Sequence, residues 1–593
     1  MTHQKKHPSK KRKDFRHYSN TSDVPSYEGE YLDKALHASL SKYFGWLSPA
    51  SFSMSFFDWY SHFIISPGKH VNLFKKTSED IMQILLFSFQ HTSGRECTPC
   101  VQGRLDDDRF KNELWHKFPF NLYSQAFLIC ETLLNEATTD VRGVAQHHLN
   151  VVNFFSRQLL DIISPSNFPW SNPEVISRTY HSGGQNLVRG YHNYIEDISR
   201  IIHKLPPVGT EDFQVGINVA ITPGKVIYRN NLIELIQYKP MTETVYREPI
   251  LIVPAWIMKY YILDLSPHNS LVKYLIQLGH TVFIISWKNP DQSDRELGLD
   301  EYANLGVMSA IEEINKIRPN EKINAAGYCI GGTLLMIAAA ALAGKSDERL
   351  NSITLFAAEV DFREAGELSL FIDESQITYL EDIMWEKGYL DGNQMSYAFS
   401  MLRSSELIWS RMVHDYLLGQ RQPLFDIIAW DYDNTRLPYR MQSEYLRRLF
   451  QNNLLVQGKF TLNGKRVALG DINIPIFAVS TTSDHVAPWR SVYKIHLFTK
   501  TDVTFVLTTG GHNVGIVNPP NHSERVFQMM TTKRQDKHVT SDTWLATAPE
   551  IEGSWWPKWD EWLVEHNSEK TTLPSLGGPD ALGDAPGTYV MIK

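Results

Sequence analysis

The sequence predicts an α/β fold, in which a mostly parallel sheet is covered by helices. Short apolar runs, which predict buried strands, alternate with helical periodicity from Ile250 to Ala358. Such alternation is typical of parallel sheets, because each parallel strand needs a crossover connection. The alternation stops near residue 364 and resumes near residue 474. This interruption predicts a helical insertion between two parts of one sheet.

The individual elements follow from the same patterns. Buried strands are predicted at 250–253, 281–285, 323–326, 352–358, 474–479 and 503–507. Helices between them are predicted at 271–278, 299–317 and 333–342. The run Val151–Leu160 has apolar positions three and four residues apart, which indicates a helix well before the sheet.

Three parts of the chain differ in character. Residues 1–25 are polar and basic and are expected to form a disordered tail. Residues 26–205 are expected to form a helical N-terminal domain, which ends at Leu205-Pro206-Pro207. Residues 206–593 are expected to form the α/β domain, with the insertion, or cap, at about 364–455.

Composition excludes several classes of protein. The formal net charge of −8 over 593 residues argues against a nucleic-acid-binding protein. The longest apolar run, Leu334–Leu342, is far shorter than the ~20 residues that a membrane span needs. No apolar segment of a secretory signal follows the basic N-terminus. We therefore expect a cytoplasmic protein without a transmembrane segment.

The four cysteines are too few for a disulfide framework in a chain of this size. Cys97 and Cys100 have a spacing that redox and metal sites use, but no second pair of ligands lies nearby. Chance is the favoured explanation of that spacing, so no metal site is expected. The role of the pair remains open.

One cysteine lies in a catalytic motif. Gly327-Tyr328-Cys329-Ile330-Gly331 has the form Gly-x-nucleophile-x-Gly, between a predicted strand and a predicted helix. A sharp turn there would expose the nucleophile, and the two glycines leave it room. The backbone N–H of Ile330 would then stabilise an oxyanion. A buried structural cysteine is the alternative that the motif alone leaves open.

An acid and a histidine follow in the chain order that this kind of nucleophile requires. Asp484 comes after the predicted strand 474–479, and His512 comes after the strand 503–507. Catalytic residues of open α/β sheets collect at such strand ends. His485 is the rival histidine, but it directly follows the proposed acid. The sequence therefore predicts the catalytic set Cys329, Asp484 and His512 on an α/β-hydrolase fold.

These segments resemble the polyhydroxyalkanoate synthases, whose nucleophile is a cysteine in a lipase-like motif. The resemblance extends to long blocks outside the motif, from about residue 110 to the C-terminus. The matching blocks include Gln214–Asn218, Arg229–Tyr238, Val253–Leu265, Ser286–Asp291, Gly183–Gly190 and Gly583–Val590. Asp433 resembles a family position near the cap boundary, and a structural role is expected for it.

The resemblance implies a class of reaction and a set of partners. Such an enzyme would polymerise (R)-3-hydroxyacyl-CoA, and the chain length resembles the single-subunit synthases that favour short monomers such as 3-hydroxybutyryl-CoA. The implied intermediate is an acyl-cysteine, and coenzyme A is part of the substrate, so no cofactor is expected. The family further implies a homodimer at the surface of polyester granules, in contact with phasins.

Two other functions remain open at this point. A cysteine-nucleophile thioesterase or esterase of the same fold would release free hydroxy acid and form no polymer. A non-catalytic granule-binding protein would keep the fold without the chemistry. The matching blocks outside the motif disfavour the first, and the complete set of Cys329, Asp484 and His512 disfavours the second.

Overall fold

A computed structural model describes residues 29–92, 99–103, 107–520, 524–577 and 581–593. The predicted tail at 1–25 and Cys97 lie outside the described residues. The division of the chain into three domains remains a prediction.

The chain before the sheet is helical. Its helices are α1 (Glu30–Phe44), α2 (Pro49–Ile64), α3 (Pro67–Thr92), α4 (Phe120–Thr138), α5 (Gln146–Ile163), α6 (Pro173–His181) and α7 (Gln185–Ile202). Local signals set several of their ends. Ser48 caps α2 through a hydrogen bond from the N–H of Ser51, and Asn172 caps α6 in the same way. No helix of the described residues is long and apolar enough to cross a membrane.

The strands lie in one large sheet and three small pairs. In chain order they are β1 (Gly224–Arg229), β2 (Ile233–Tyr238), β3 (Thr244–Tyr246), β4 (Ile250–Val253), β5 (Val282–Trp287), β6 (Ile323–Tyr328), β7 (Leu350–Phe356), β8 (Tyr389–Leu390), β9 (Leu437–Pro438), β10 (Thr461–Leu462), β11 (Lys465–Arg466), β12 (Ile476–Thr481), β13 (Val503–Thr508), β14 (Val526–Thr532), β15 (Glu550–Glu552), β16 (Lys570–Thr572) and β17 (Gly583–Asp584). The small pairs are β3 with β16, β8 with β9, and β10 with β11.

The large sheet has the order β15-β14-β13-β12-β7-β6-β4-β5-β2-β1-β17. Its six central strands, from β13 to β5, are parallel, as predicted, but the sheet as a whole is mixed. The strands on both sides of this centre are antiparallel to their neighbours and lie outside the predicted set. Because parallel strands point their carboxyl ends to one edge, the loops after β6, β12 and β13 meet there.

Helices cover the faces of the sheet. They are α8 (Leu271–Leu278), α9 (Leu299–Glu301), α10 (Ser309–Ile317) and α11 (Ile330–Ala343), and a π-helical segment, Tyr302–Met308, joins α9 to α10. Helix α11 is buried on almost every side, as its run of alanine and leucine requires. It is the central helix of the fold and begins directly after β6.

The chain between β7 and β12 leaves the sheet and is mainly helical. Its helices are α12 (Glu374–Lys387), α13 (Gly392–Leu402), α14 (Asp426–Asp431) and α15 (Tyr439–Tyr445), with π-helical segments at Ser405–Ser410, Val413–Leu417 and Leu446–Gln451. We call residues 364–455 the inserted segment. After it, α16 (Trp489–Tyr493), α17 (Ile495–Phe498), α18 (Ser541–Thr547) and α19 (Trp556–His566) complete the fold.

The N-terminal helices rest on the inserted segment. Helix α1 packs against α12, where His37 Nδ1 lies 2.6 Å from Asp382 Oδ2. Arg157 of α5 forms an ion pair with Glu367 at 2.6 Å. Helix α7 packs against Val413–Leu417. These contacts tie the N-terminal helices to the inserted segment.

Helix α7 approaches the inserted segment very closely at Gly190. A Cβ atom there would lie 1.7 Å from the carbonyl oxygen of Tyr416, whereas a Cβ at Gly68 of α3 would meet nothing within 4 Å. We predict that Gly190→Ala lowers the free energy of unfolding by about 1–3 kcal/mol, because the added methyl group forces helix α7 and the inserted segment apart. The apparent melting temperature falls accordingly. Gly68→Ala is the matched control. Equal melting temperatures of the two variants would contradict this account of the contact.

Candidate active site

Cys329 occupies a strained turn between β6 and α11. Its backbone φ of 52° lies in the left-handed region, which costs a residue with a side chain about 1–3 kcal/mol. The surroundings hold it there, since its N–H donates to the carbonyl of Phe356 at 2.9 Å. The side chain is mostly buried at the point where the central helix begins.

The glycines around Cys329 allow this turn to exist. A Cβ at Gly327 would lie 2.3 Å from the Cα of Gly332, and one at Gly331 would lie 2.4 Å from the carbonyl oxygens of Val253 and Pro254. No real Cβ can approach backbone atoms so closely. The two motif glycines are therefore required by the contact between α11, β6 and the end of β4.

Asp484 and His512 lie in adjacent loops after β12 and β13. His512 Nδ1 is 2.7 Å from Asp484 Oδ2. The other carboxylate oxygen of Asp484 accepts hydrogen bonds from the backbone N–H groups of Val486 at 2.9 Å and Ala487 at 2.8 Å. Because a carboxylate only accepts, His512 carries a proton on Nδ1, which leaves Nε2 for Cys329.

The charges of the three groups support one another. Burial alone would lower the pKa of His512, but Asp484 and Cys329 outweigh it and raise this pKa well above its ordinary value. Burial alone would raise the pKa of Asp484, but His512 and the two backbone N–H groups hold it below its usual range. A proton that leaves the Cys329 thiol is therefore stabilised on His512.

His485, the rival histidine, is placed differently. Among the described residues its Nδ1 has no hydrogen-bond partner. Burial, partly offset by Asp484, lowers the pKa of its imidazole. The inserted segment packs on its backbone, since a Cβ at Gly366 would lie 2.3 Å from the carbonyl oxygen of His485. The geometry thus brings His512, rather than His485, to the acid and the cysteine.

Ile330 is the first residue of α11, so the helix itself does not use its N–H. This N–H follows Cys329 directly and lies at the positive end of the helix dipole. The end of β4, with Val253 and Pro254, lies close by. An oxygen that becomes negative beside Cys329 would find a donor there.

Among the described residues, no three His, Cys, Asp or Glu side chains lie grouped as metal ligands.

Comparisons with known proteins cover most of the chain. Residues 28–69 match the family model described as the poly-beta-hydroxybutyrate polymerase N terminal, and residues 106–275 match the model described as the N-terminus of the poly-beta-hydroxybutyrate polymerase PhaC. Residues 248–519 match the alpha/beta hydrolase fold. This match agrees with the sheet order and confirms the predicted fold class.

Three relatives extend the likeness over 82–89% of the chain. The chain is 40% identical over 492 residues to the poly(3-hydroxyalkanoate) polymerase subunit PhaC of Rhizobium meliloti, covering 82% of this chain and 80% of that one. It is 38% identical to the polymerase of Methylorubrum extorquens, covering 89% and 87% of the two chains. The figures for the Cupriavidus necator subunit are 35%, 83% and 84%. The chain belongs to the poly(3-hydroxyalkanoate) polymerase family. These polymerases are acyltransferases, and the predicted resemblance is confirmed.

A carboxyl group that no sequence motif indicates lies beside the site of this polymerase-family chain. Glu359 follows β7 and is 6% exposed, and its carbonyl accepts from the Thr333 hydroxyl at 2.7 Å. Burial, with the charges of Asp484 and Asp361, raises the pKa of Glu359 to about 8. No motif marks a single glutamate in this position. Its role depends on burial, which the sequence does not display locally.

A phenol also approaches the cysteine of the polymerase-family site. Tyr445 ends α15 and is 9% exposed. Burial, with the charges of Cys329 and Glu359, raises the pKa of its hydroxyl well above the ordinary value. The inserted segment therefore contributes a neutral phenol to the surroundings of Cys329. Only the tertiary fold reveals this proximity, because Tyr445 lies over a hundred residues away in sequence.

The raised pKa of Glu359 has a consequence for stability. Between about pH 4.5 and about pH 8 the carboxyl is protonated in the folded protein and ionised in the unfolded chain, so rising pH favours unfolding. The free energy of unfolding then falls by up to ~1.4 kcal/mol per pH unit. Glu359→Gln removes this dependence.

We predict that the melting temperature of Glu359→Gln rises relative to that of the wild type as the pH increases from 5 to 8. Thermal unfolding of both proteins across this range measures the gap. A gap that stays constant or narrows with rising pH would contradict the protonated state of Glu359.

Proposed function

We propose that this chain polymerises (R)-3-hydroxyacyl-CoA, with 3-hydroxybutyryl-CoA as the expected monomer, through a covalent acyl-cysteine on Cys329. The observation that carries the proposal is the arrangement of Cys329, His512 and Asp484 in a chain that belongs to the polymerase family. A hydroxyacyl thioester can serve both as acyl donor and, through its hydroxyl, as acceptor. The site has the groups that both steps need.

The first step loads the enzyme. His512 accepts the proton of the Cys329 thiol, and the thiolate attacks the carbonyl carbon of the thioester. The N–H of Ile330 stabilises the oxyanion of the tetrahedral intermediate. The bond to the coenzyme A sulfur then breaks, and this sulfur takes the proton from His512. The products are free coenzyme A and an acyl thioester on Cys329.

The second step forms the polymer bond. The 3-hydroxyl of a monomer or chain end gives its proton to His512 as its oxygen attacks the acyl-cysteine carbonyl. The C–S bond to Cys329 breaks, a C–O ester bond forms, and the proton on His512 pairs with the restored thiolate. Asp484 supports both steps because its charge stabilises the imidazolium that forms each time.

Shielding from water supports polymerisation over hydrolysis. Cys329 is 8% exposed, and Tyr445 of the inserted segment lies close enough to act on it electrostatically. A covered acyl-cysteine meets a hydroxyl that enters with the substrate more often than it meets bulk water. The inserted segment is therefore the part of the chain that we assign to this protection.

The wider expectations belong to the same proposal. We propose action at the surface of a polyester granule in the cytoplasm, as a homodimer in contact with phasins. Exposed apolar side chains on the N-terminal helices support an apolar surface as a partner. Examples are Phe57 (70% exposed), Phe74 (76%) and Ile201 (69%).

The proposal is tested by mixing the purified protein with (R)-3-hydroxybutyryl-CoA and measuring free thiol and product. We expect thiol release with insoluble polyester, loss of both in Cys329→Ala, and retention of both in Cys130→Ala, whose cysteine is exposed on α4. Release of hydroxy acid alone would make the chain a thioesterase. No release, or release that persists in Cys329→Ala, would overturn the acyl-cysteine mechanism.

The role of Asp484 gives a separate prediction. Asp484→Asn keeps the size of the side chain but removes the charge that raises the pKa of His512. We expect kcat to fall about 10²–10⁴-fold, and the ionisation of His512 to move to lower pH in the pH–rate profile. Asp197→Asn, whose carboxylate contacts Tyr416 and Arg421, is the control. A kcat within a few-fold of the wild type would contradict the role of Asp484.

A further inference from the structure

Behind the reacting pair, a chain of hydrogen bonds leads from the inserted segment into the site. We propose that Asp431 is a positioning residue for the reacting pair and acts through Asn513 and Tyr328. The inference deepens the proposed function and rests on it, since the pair that it positions is Cys329 and His512. None of the three positioning residues belongs to the predicted catalytic set.

The side-chain amide of Asn513 is held at both ends. Its Nδ2 donates to Asp431 Oδ1 at 3.0 Å, and its Oδ1 accepts from the hydroxyl of Tyr328 at 2.5 Å. Chemistry fixes this orientation, because an ionised carboxylate only accepts, whereas a phenol can donate. The amide therefore cannot flip without losing its bond to Asp431. The three groups form one directed chain.

Two members of this hydrogen-bond chain are the immediate sequence neighbours of the reacting residues. Tyr328 precedes Cys329 in the turn, and Asn513 follows His512. The rings of Tyr328 and His512 also lie side by side, with their centroids 5.6 Å apart. A shift of Asn513 would therefore move the His512 loop relative to the turn that carries the cysteine. Displacements of about 1 Å between reacting groups can cost ~10²-fold in rate.

Asp431 is itself firmly placed. It is the last residue of α14, and contacts at both ends fix this helix. At the start, the Asp426 carboxylate accepts from the Asn269 amide at 2.9 Å. At the end, the indole N–H of Trp430 donates to the carbonyl of Lys259 at 2.8 Å. The inserted segment thus presents a rigid acceptor to the His512 loop.

Charge adds to the geometry. Burial raises the pKa of Asp431 to about 7, against the opposing effects of His512 and Asn513. The ionisable groups that face this chain are His512 after β13 and Tyr328 at the end of β6, with Asp484 and Cys329 beyond them. When Asp431 ionises, its hydrogen bond from Asn513 becomes charge-assisted and stronger. The hydrogen bonds that link Asp431, Asn513 and Tyr328 then hold the His512 loop most firmly.

The test measures the reactivity of Cys329 without substrate. Alkylation by iodoacetamide is followed by mass spectrometry of the Cys329 peptide, beside kcat and KM with (R)-3-hydroxybutyryl-CoA. Tyr328→Phe and Asp431→Ala are each expected to lower kcat about ten- to hundredfold with little change in KM, and to slow alkylation. The double variant should be no slower than the worse single variant, because both break one chain.

Asp431→Asn separates the hydrogen bond from the charge. Its amide oxygen can still accept from Asn513, so it should recover most of the activity that Asp431→Ala loses. The wild-type alkylation rate should rise through an inflection near pH 7, where Asp431 ionises, and this inflection should be absent in Asp431→Asn. Tyr416→Phe is the matched control, because its hydroxyl also binds a carboxylate, that of Asp197 at 2.9 Å, in another part of the protein.

Three results would overturn the inference. They are unchanged alkylation of Cys329 in both Tyr328→Phe and Asp431→Ala, losses that multiply in the double variant, and an inflection near pH 7 that persists in Asp431→Asn. Failure of the proposed function is distinguishable from these, since the wild type would then release no thiol or would release thiol without forming polyester, while the alkylation experiment stays intact.

Discussion

The site depends on how closely helix α11 approaches the end of β4. A Cβ at Gly331 would lie 2.4 Å from two backbone carbonyl oxygens, so only glycine permits the contact. That contact fixes where the helix begins, and the chain must turn through a φ of 52° at Cys329 to reach it from β6. Packing around Cys329 maintains this backbone strain, as is usual at functional sites. The position of the thiol and the direction of the Ile330 N–H both follow from it.

The carboxyl groups of Asp484, Glu359 and Asp431 all lie near His512, and their surroundings give them different charges. Asp484 has two backbone donors and His512, so it stays ionised despite burial. At Glu359 burial outweighs the hydrogen bond from Ser491, so a pKa of about 8 keeps the carboxyl mostly protonated at neutral pH. Asp431 lies between these extremes, with a pKa of about 7. Of these three carboxyl groups, Asp484 is therefore the one that is fully ionised at neutral pH, which suits an imidazole base that must both take up and return a proton.

Local sequence was sufficient where a residue's role depends on its neighbours in the chain. The central strands, helix α8 at 271–278 and the turn at Cys329 all follow from periodicity and from glycines at fixed spacing. The strands outside the parallel centre were harder to predict for different reasons. β1 and β14 are only partly buried, and β15 and β17 have three and two residues. β2 is fully buried, but Glu234 and Gln237 interrupt its apolar run. The different hydrogen-bond partners of Asp431 and Asp433 could not be predicted from the sequence. Asp433 accepts from the Tyr261 hydroxyl at 2.9 Å, while Asp431 reaches Asn513, and nothing local distinguishes two carboxylates two residues apart.

A nucleophile, acid and histidine on this sheet can release an acyl group to water as readily as to a hydroxyl, so the choice must come from what surrounds them. The inserted segment comes near the reacting groups, since Tyr445 interacts electrostatically with Cys329 and Asp431 bonds to Asn513, the neighbour of His512. It contacts the N-terminal helices through Asp382, Glu367 and the close approach at Gly190. Within the part of the chain that the structure describes, these contacts connect the N-terminal helices to the surroundings of Cys329 through the inserted segment. Under the function proposed above, attachment of the N-terminal helices to an apolar surface would therefore act on Cys329 by way of the same segment to which we assign protection from water.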